Sequence, residues 1–156
     1  MIDETVKIEQ SRLMIPALAG IYASLAPLGY AAIRVWTALV LFPGGVDKLF
    51  YGSVNRIAAT SIPALGLPQP YAWAWAVTLI EFFGSILLAL GLWTRPIAFA
   101  FTVQLAVIAF GIMVKRGLFW TSGGLEVALL LMLLTFAFVL GGGGRYSLDH
   151  ALGKEI

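Results

Sequence analysis

Five polar side chains in the apolar part of this chain have the chemistry to bind a ligand or carry a proton: Arg34, Lys48, Glu81, Gln104 and Glu126. Three of them are each the only charge in a long apolar stretch, at residues 13–46, 71–93 and 117–144. An ionisable side chain at membrane depth costs about 2.5–3.5 kcal/mol on insertion scales, so it usually faces a partner or a polar cavity. We therefore predict a ligand-binding cluster made of these five residues. No catalytic residue and no metal ligand is predicted.

The depth of each charge along an antiparallel bundle predicts which of them meet. Lys48 and Glu126 fall near the same membrane face, whereas Arg34 and Glu81 lie deeper. Arg34 and Lys48 share one helix face and stand about 21 Å apart along it. We therefore expect two ion pairs, Arg34–Glu81 and Lys48–Glu126, lining one polar interior. Asp47 is an alternative partner for Lys48.

Three interpretations of this polar interior remain open. The ion pairs could simply lock the helices in register, which is a common use of buried charges. They could instead line a pocket for a lipid headgroup or a quinone ring. The third interpretation is a proton or ion path in which the carboxyl group of Glu81 gains and loses the proton. For Gln104, a hydrogen bond between helices is a simpler interpretation than contact with a ligand.

The elements that must position these side chains are apolar helices, which predicts an all-α fold. Apolar residues make up 60% of the 156-residue chain and charged residues 12%, about half the usual charged share of soluble domains. This composition predicts an integral membrane protein whose length allows four spans of about 20 residues. We expect an antiparallel bundle of four transmembrane helices, at about residues 28–50, 71–92, 96–114 and 123–140.

Shorter segments flank and connect the predicted spans. Residues 1–12 are polar, and the prolines and glycine within residues 13–27 predict a leader that lies at the membrane interface instead of spanning. Ser53 is a plausible N-cap for a short interfacial helix that ends near Ser61. A short terminal helix is expected to begin within residues 147–149.

The chain is thus expected to have three parts. These are a polar N-terminus with an interfacial leader at residues 1–27, a membrane domain at 28–150, and a tail at 151–156. Four antiparallel spans place both termini on one side of the membrane. Five lysines and arginines lie on that side and four on the other, which weakly favours cytoplasmic termini.

The residue counts also limit the chemistry that the chain can perform. It has no cysteine and one histidine, which excludes a disulfide relay, a thiolate nucleophile, iron–sulfur ligation and haem held by two histidines. Electron transfer would therefore require a bound organic molecule or a partner subunit. The net charge is +2, with the basic residues scattered, so no nucleic-acid partner is expected.

Several short motifs together resemble the DoxX family of small four-helix membrane proteins. In order, they are Arg34 followed by FPGGVDKLF at 42–50, Glu81 with Gly84, LGLWTR at 90–95, GGLE at 123–126 and GRYSLD at 144–149. The resemblance covers about residues 28–150. It implies a four-helix bundle in a bacterial inner membrane, and some relatives serve in membrane oxidoreductases. The leader at 13–27 has no counterpart in the family pattern.

The residues and the resemblance lead to one main functional prediction and two alternatives. The main prediction is a membrane subunit of a redox-linked complex, with an intramembrane pocket for a quinone-like or other small ligand and with partner subunits that carry electrons. No covalently bound cofactor is expected, and enzyme activity of the chain itself is left open. The first alternative is a structural accessory subunit of a larger membrane complex. The second is a small-molecule transporter, for which the helices would have to form a homo-oligomer.

Overall fold

The structure, a computed structural model, describes residues 14–153, and the regular secondary structure in that range is helical. No strand occurs in that range. The predicted all-α class is therefore confirmed. The α-helices are α1 Ala19–Phe50, α2 Ser53–Ala59, α3 Ser61–Ala64, α4 Pro70–Leu90, α5 Thr94–Arg116, α6 Glu126–Gly141 and α7 Leu148–Ala151. Single 3-10 turns lie at Pro16–Leu18 and Trp120–Ser122, and α5 ends in a 3-10 segment at Met113–Arg116.

Helix α1 begins nine residues earlier than predicted. It starts at Ala19 and runs without interruption to Phe50, with Pro27 and Pro43 inside it. A proline removes only one helical hydrogen bond, whereas unwinding a segment in lipid would leave many backbone groups without partners. The predicted helix boundary near Pro27 is therefore absent, and residues 19–27 continue into the rest of α1. The polar residues 1–12 lie outside the described range.

Helices α4 and α5 each contain a π-helical turn. In α4, Ile80–Gly84 is π-helical between the α-helical stretches Pro70–Leu79 and Ser85–Leu90. In α5, the π turn is Val107–Ile112. A π turn inserts an extra residue and changes the direction in which the following side chains point, and such turns are frequent at functional sites.

Three helices of the described range, α1, α4 and α5, are long and apolar enough to cross a membrane. Helix α6 is also apolar but has 16 residues, which gives a length of about 24 Å against a hydrocarbon core of about 30 Å. Large apolar side chains point outward from these helices, among them Trp36, Phe99 and Leu133, which are 59–70% exposed. Polar side chains such as Thr78 and Ser85 are instead buried. Apolar outside and polar inside is the arrangement of a membrane protein.

Small residues allow α1 and α4 to pack in backbone contact. A methyl group built on Gly45 would lie 2.5 Å from the backbone nitrogen of Phe82, a distance that real Cβ atoms do not adopt. Helices α5 and α6 pack through a buried apolar cluster that includes Phe101 and Phe138. A hydrogen bond of 3.0 Å between the hydroxyl groups of Thr102 and Thr135 adds to this contact.

The short helices lie close to their predicted positions. Helices α2 and α3 occupy residues 53–64 between the first two long helices, but the N-cap of α2 is Gly52, and Ser53 is its first residue. Gly52 has φ of 76°, a conformation that glycine adopts without strain. The terminal helix α7 begins at Leu148, and Ser147 caps it by accepting a hydrogen bond from the backbone N–H of His150.

Candidate functional site

Three polar side chains from three helices form a buried group, which we name the Glu81 cluster: Lys48 of α1, Glu81 of α4 and Gln104 of α5. The Lys48 ammonium lies 2.5 Å from Oε2 of Glu81. The Gln104 side-chain nitrogen donates to Oε1 of Glu81 at 2.6 Å. Both carboxylate oxygens are therefore engaged, one by a cation and one by a neutral amide. The side chain of Glu81 is 8% exposed and that of Lys48 is 16% exposed.

The local fold of α1 and α4 makes room for this carboxylate. Glu81 lies in the π turn of α4. Opposite it, a methyl group on Gly44 would be 2.7 Å from Oε2 of Glu81, so a larger residue there would displace the carboxylate from its present position. Lys48 also donates to the backbone oxygen of Gly44, at 3.2 Å, which holds its ammonium beside Glu81. The adjacent glycines of α1 thus bring the cation and the anion together.

The predicted ion pairs are wrong, although three of the five candidate residues do meet. Lys48 pairs with Glu81 and not with Glu126. Glu126 lies at the start of α6, where its carboxylate accepts a hydrogen bond of 3.0 Å from the backbone N–H of Trp120. Asp47 is mostly exposed and lies 3.8 Å from Arg56. Asp47 does not pair with Lys48 because the two side chains point in different directions around α1. Of the two, only Lys48 faces α4.

Arg34 belongs to a second group, which we name the Arg34 clasp. Its guanidinium group donates to three backbone oxygens, those of Gly143, Tyr146 at 2.7 Å and Ala89 at 3.4 Å. Arg34 is 2% exposed. Through these hydrogen bonds the planar guanidinium holds the segment that follows α6 against the C-terminal end of α4. It does not form the predicted ion pair with Glu81.

Asp149 completes the Arg34 clasp, and its role was not predicted from the sequence. Its carboxylate accepts hydrogen bonds from the backbone N–H groups of Trp93 and Thr94 at 2.8 and 2.9 Å, and from the hydroxyl group of Thr94 at 2.8 Å. It thus caps the first turn of α5 from a distant part of the chain. The backbone N–H of Asp149 also donates to the oxygen of Gly91 at 2.9 Å. The signal in the sequence is the GRYSLD motif, which by itself predicts only the start of a terminal helix.

The two groups are separate. Glu81 and Ala89, which contact the Glu81 cluster and the Arg34 clasp respectively, are about 12 Å apart along α4. The predicted five-residue cluster is therefore divided, with Arg34 in one group and Glu81 in the other. The Arg34 clasp satisfies backbone groups at helix ends, which is a structural role. The Glu81 cluster places a cation, a carboxylate and an amide among apolar helices, and this set can bind a polar group or hold a proton.

Other features of the described residues offer no competing site. No group of three histidine, aspartate or glutamate side chains lies close enough there to hold a metal ion. A shallow cleft is lined by Met14, Ile15, Leu18 and Tyr22, none of which belongs to the Glu81 cluster. Among the described residues, the Glu81 cluster is therefore the candidate functional site.

Comparison with known proteins identifies the family. The DoxX family profile matches residues 29–116, a range that includes the whole Glu81 cluster and Arg34. A protein of Haemophilus influenzae named "Uncharacterized protein" is 44% identical over 132 residues, which cover 83% of this chain and 94% of the relative. No solved structure matches the chain. The chain therefore belongs to the DoxX family, and its apolar helices make it a membrane protein of that family.

Proposed function

We propose that the protein is the membrane subunit of a redox-linked complex and that the Glu81 cluster binds the headgroup of a quinone-like ligand. The observation that supports this most directly is the joining of Lys48, Glu81 and Gln104 across three apolar helices. A lysine ammonium can donate to a quinone carbonyl, and a carboxylate can accept or supply the proton that accompanies reduction. The Lys48 side chain is 16% exposed and gives such a ligand a point of access.

The proposed membrane arrangement is an antiparallel bundle of α1, α4, α5 and α6. The Arg34 clasp supports it, because this group joins the C-terminal ends of α4 and α6 to the N-terminal end of α5. In this arrangement Glu126 and Lys48 lie toward the opposite membrane face. We further propose that the protein resides in a bacterial inner membrane with both termini in the cytoplasm, following the distribution of lysines and arginines.

A partner subunit is part of the proposal because the chain has few residues that could hold an electron carrier. With no cysteine and one histidine in the sequence, its side chains cannot hold an iron–sulfur cluster or a haem with two histidine ligands. A quinone-like ligand carries electrons itself but must exchange them with another carrier. The outward-facing apolar side chains of α5 and α6 provide surface for lipid, for such a partner or for a second copy.

A structural accessory subunit is the second candidate function. The observation in its favour is that both oxygens of Glu81 already have partners within the chain, as expected if the cluster only locks three helices in register. Under this interpretation the protein binds no small ligand. A small-molecule transporter remains a prediction from the sequence, and no contact among the described residues favours it.

A binding experiment separates the redox role from the structural role. The purified protein in lipid nanodiscs is titrated with a short-chain benzoquinone, and heat of binding is measured. We expect Glu81→Gln to weaken binding by about 10-fold or more, since it removes the carboxylate that holds the Lys48 ammonium, the donor to the quinone carbonyl, in place. The matched control is Asp47→Asn, which neutralises an exposed carboxylate beside Lys48 and should leave affinity unchanged.

Two outcomes would contradict the proposed function. One is the absence of quinone binding by the wild-type protein, which is the result that a purely structural subunit predicts. The other is equal loss of affinity in Glu81→Gln and Asp47→Asn, which would show that charge near the membrane, and not the cluster, controls binding. Mass spectrometry of the protein after gentle native extraction should also detect a redox-active partner subunit.

A further inference from the structure

The side-chain oxygen of Gln104 is buried and has no hydrogen-bond partner among the described residues. Gln104 is 8% exposed, so water reaches it poorly. A buried amide oxygen without a donor is uncommon because its desolvation is not compensated. The group that would complete this site is therefore a hydrogen-bond donor.

The orientation of the Gln104 amide follows from Glu81. In its ion pair with Lys48, the Glu81 carboxylate can only accept hydrogen bonds. Gln104 must therefore direct its NH₂ group toward Oε1 of Glu81, where the distance is 2.6 Å. Its oxygen then necessarily points away from the carboxylate. The unpaired acceptor is a consequence of the ion pair between Lys48 and Glu81.

Lys48 leaves a matching donor on the other side of the same carboxylate. Its ammonium group has three N–H bonds, and within the described residues two of them are used, toward Glu81 and the backbone oxygen of Gly44. The cluster thus presents one free donor, on Lys48, and one free acceptor, on Gln104. An oxidised quinone has two carbonyl acceptors and can use only the donor. A quinol has hydroxyl groups that both donate and accept, and can use both.

We propose that the Glu81 cluster prefers the reduced, hydroxyl-bearing form of its ligand, with a ligand hydroxyl group donating to the side-chain oxygen of Gln104. This inference rests on the proposed function and specifies the class of ligand. Gln104 is the residue that discriminates between the two redox forms, because its free oxygen is left unpaired by the quinone. Lys48 donates to either form, and Glu81 acts by holding the Lys48 ammonium in place.

The test compares a short-chain benzoquinol and its quinone, titrated separately into the full-length protein in nanodiscs under argon. We expect the quinol to bind about 10-fold more tightly, the ratio that corresponds to 1.4 kcal/mol at 25 °C. Gln104→Met keeps a side chain of similar length without the amide oxygen, and it should reduce the ratio to near one. Thr102→Val is the matched control on α5, because it removes a partly buried hydroxyl group that bonds to Ala98 and Thr135 instead of the cluster. It should keep the wild-type ratio.

A ligand-side control keeps the test decisive if Gln104→Met does not fold. The dimethyl ether of the quinol retains the ring but has no hydroxyl donor, so it should lose the advantage of the quinol over the quinone in the wild-type protein. Equal affinity of the wild type for quinol and quinone, with both weakened by Glu81→Gln, would overturn this inference and leave the proposed function intact. Absence of binding by either form would overturn the proposed function, and this inference with it.

Discussion

Among the acidic residues that the structure describes outside the membrane-spanning helices, Asp149 is the one whose replacement by alanine should destabilise the protein most. The carboxylate is 5% exposed and accepts three hydrogen bonds, from two backbone N–H groups and one hydroxyl group at the start of α5. Alanine would leave the two N–H groups without a partner. It would also remove the negative charge from the positive end of the α5 helix dipole.

The expected magnitude follows from these contacts. Loss of an N-cap costs about 0.5–2 kcal/mol, and a hydrogen bond to a charged group contributes about 1.5–3 kcal/mol. Since these terms are not additive, we expect Asp149→Ala to lower the free energy of unfolding by about 3 kcal/mol. Asp149→Asn retains one acceptor oxygen but places an NH₂ group toward the other donors, so it should lose about half as much.

The assay is reversible unfolding in mixed micelles with increasing dodecyl sulfate, followed by tryptophan fluorescence. Trp93 lies directly at the contact and contributes to the signal. Asp47→Ala is the control, because its carboxylate is exposed and pairs with Arg56 only at 3.8 Å; it should change stability by less than about 1 kcal/mol. If Asp149→Ala is as stable as Asp47→Ala, the assignment of Asp149 as the cap of α5 is refuted.

Three further predictions concern buried positions and use the same unfolding assay. Arg34→Lys should lower the free energy of unfolding by about 2–3 kcal/mol, because an ammonium group cannot match the N–H donors that Arg34 directs at separate carbonyl oxygens. An Arg34→Lys variant as stable as the wild type would contradict the role given to the Arg34 clasp. Gly45→Ala should lower the free energy of unfolding by about 1–3 kcal/mol through overpacking. Gly20→Ala should not lower it, because a methyl group added there would meet no atom within 4 Å. Lys48→Met should cost about 3–5 kcal/mol by leaving a buried carboxylate unpaired, and the double exchange with Glu81→Gln should recover part of that loss.

The four longest helices could be predicted from the sequence because each is an apolar run with few charges. The prolines, which usually mark the ends of helices, were less informative about where the helices begin. In a water-soluble protein, a proline such as Pro27 usually ends a helix. In α1 the helix continues through Pro27, because a helix pairs the most backbone groups in an apolar environment. Prediction of the start of α1 therefore failed for a reason that depends on solvent and not on the residue itself.

The contacts between side chains could be predicted only in part. Polar side chains within apolar runs are visible in the sequence, which is why Lys48, Glu81 and Gln104, which meet in the structure, could be named as candidates. Depth along a helix also follows from residue number. Rotation around the helix axis and the choice of neighbouring helix do not follow from residue number, so Glu126 was paired wrongly with Lys48. The π turn at Ile80–Gly84 adds a rotation that an ideal helix lacks. Asp149 was missed because it lies beyond the glycines at 141–144, and only the chain reversal there returns it to α5.

The long sequence separation within the Arg34 clasp has a consequence for biogenesis. Arg34 enters the membrane early in synthesis, but its partners at residues 143 and 146 emerge from the ribosome only after all four apolar helices have been made. Until then the guanidinium group has no native acceptor from that segment, and the first turn of α5 has no cap. Completion of the bundle must therefore await synthesis of the segment that follows α6. A nascent chain that stalls before residue 143 would leave Arg34 with only the Ala89 oxygen of its three backbone acceptors.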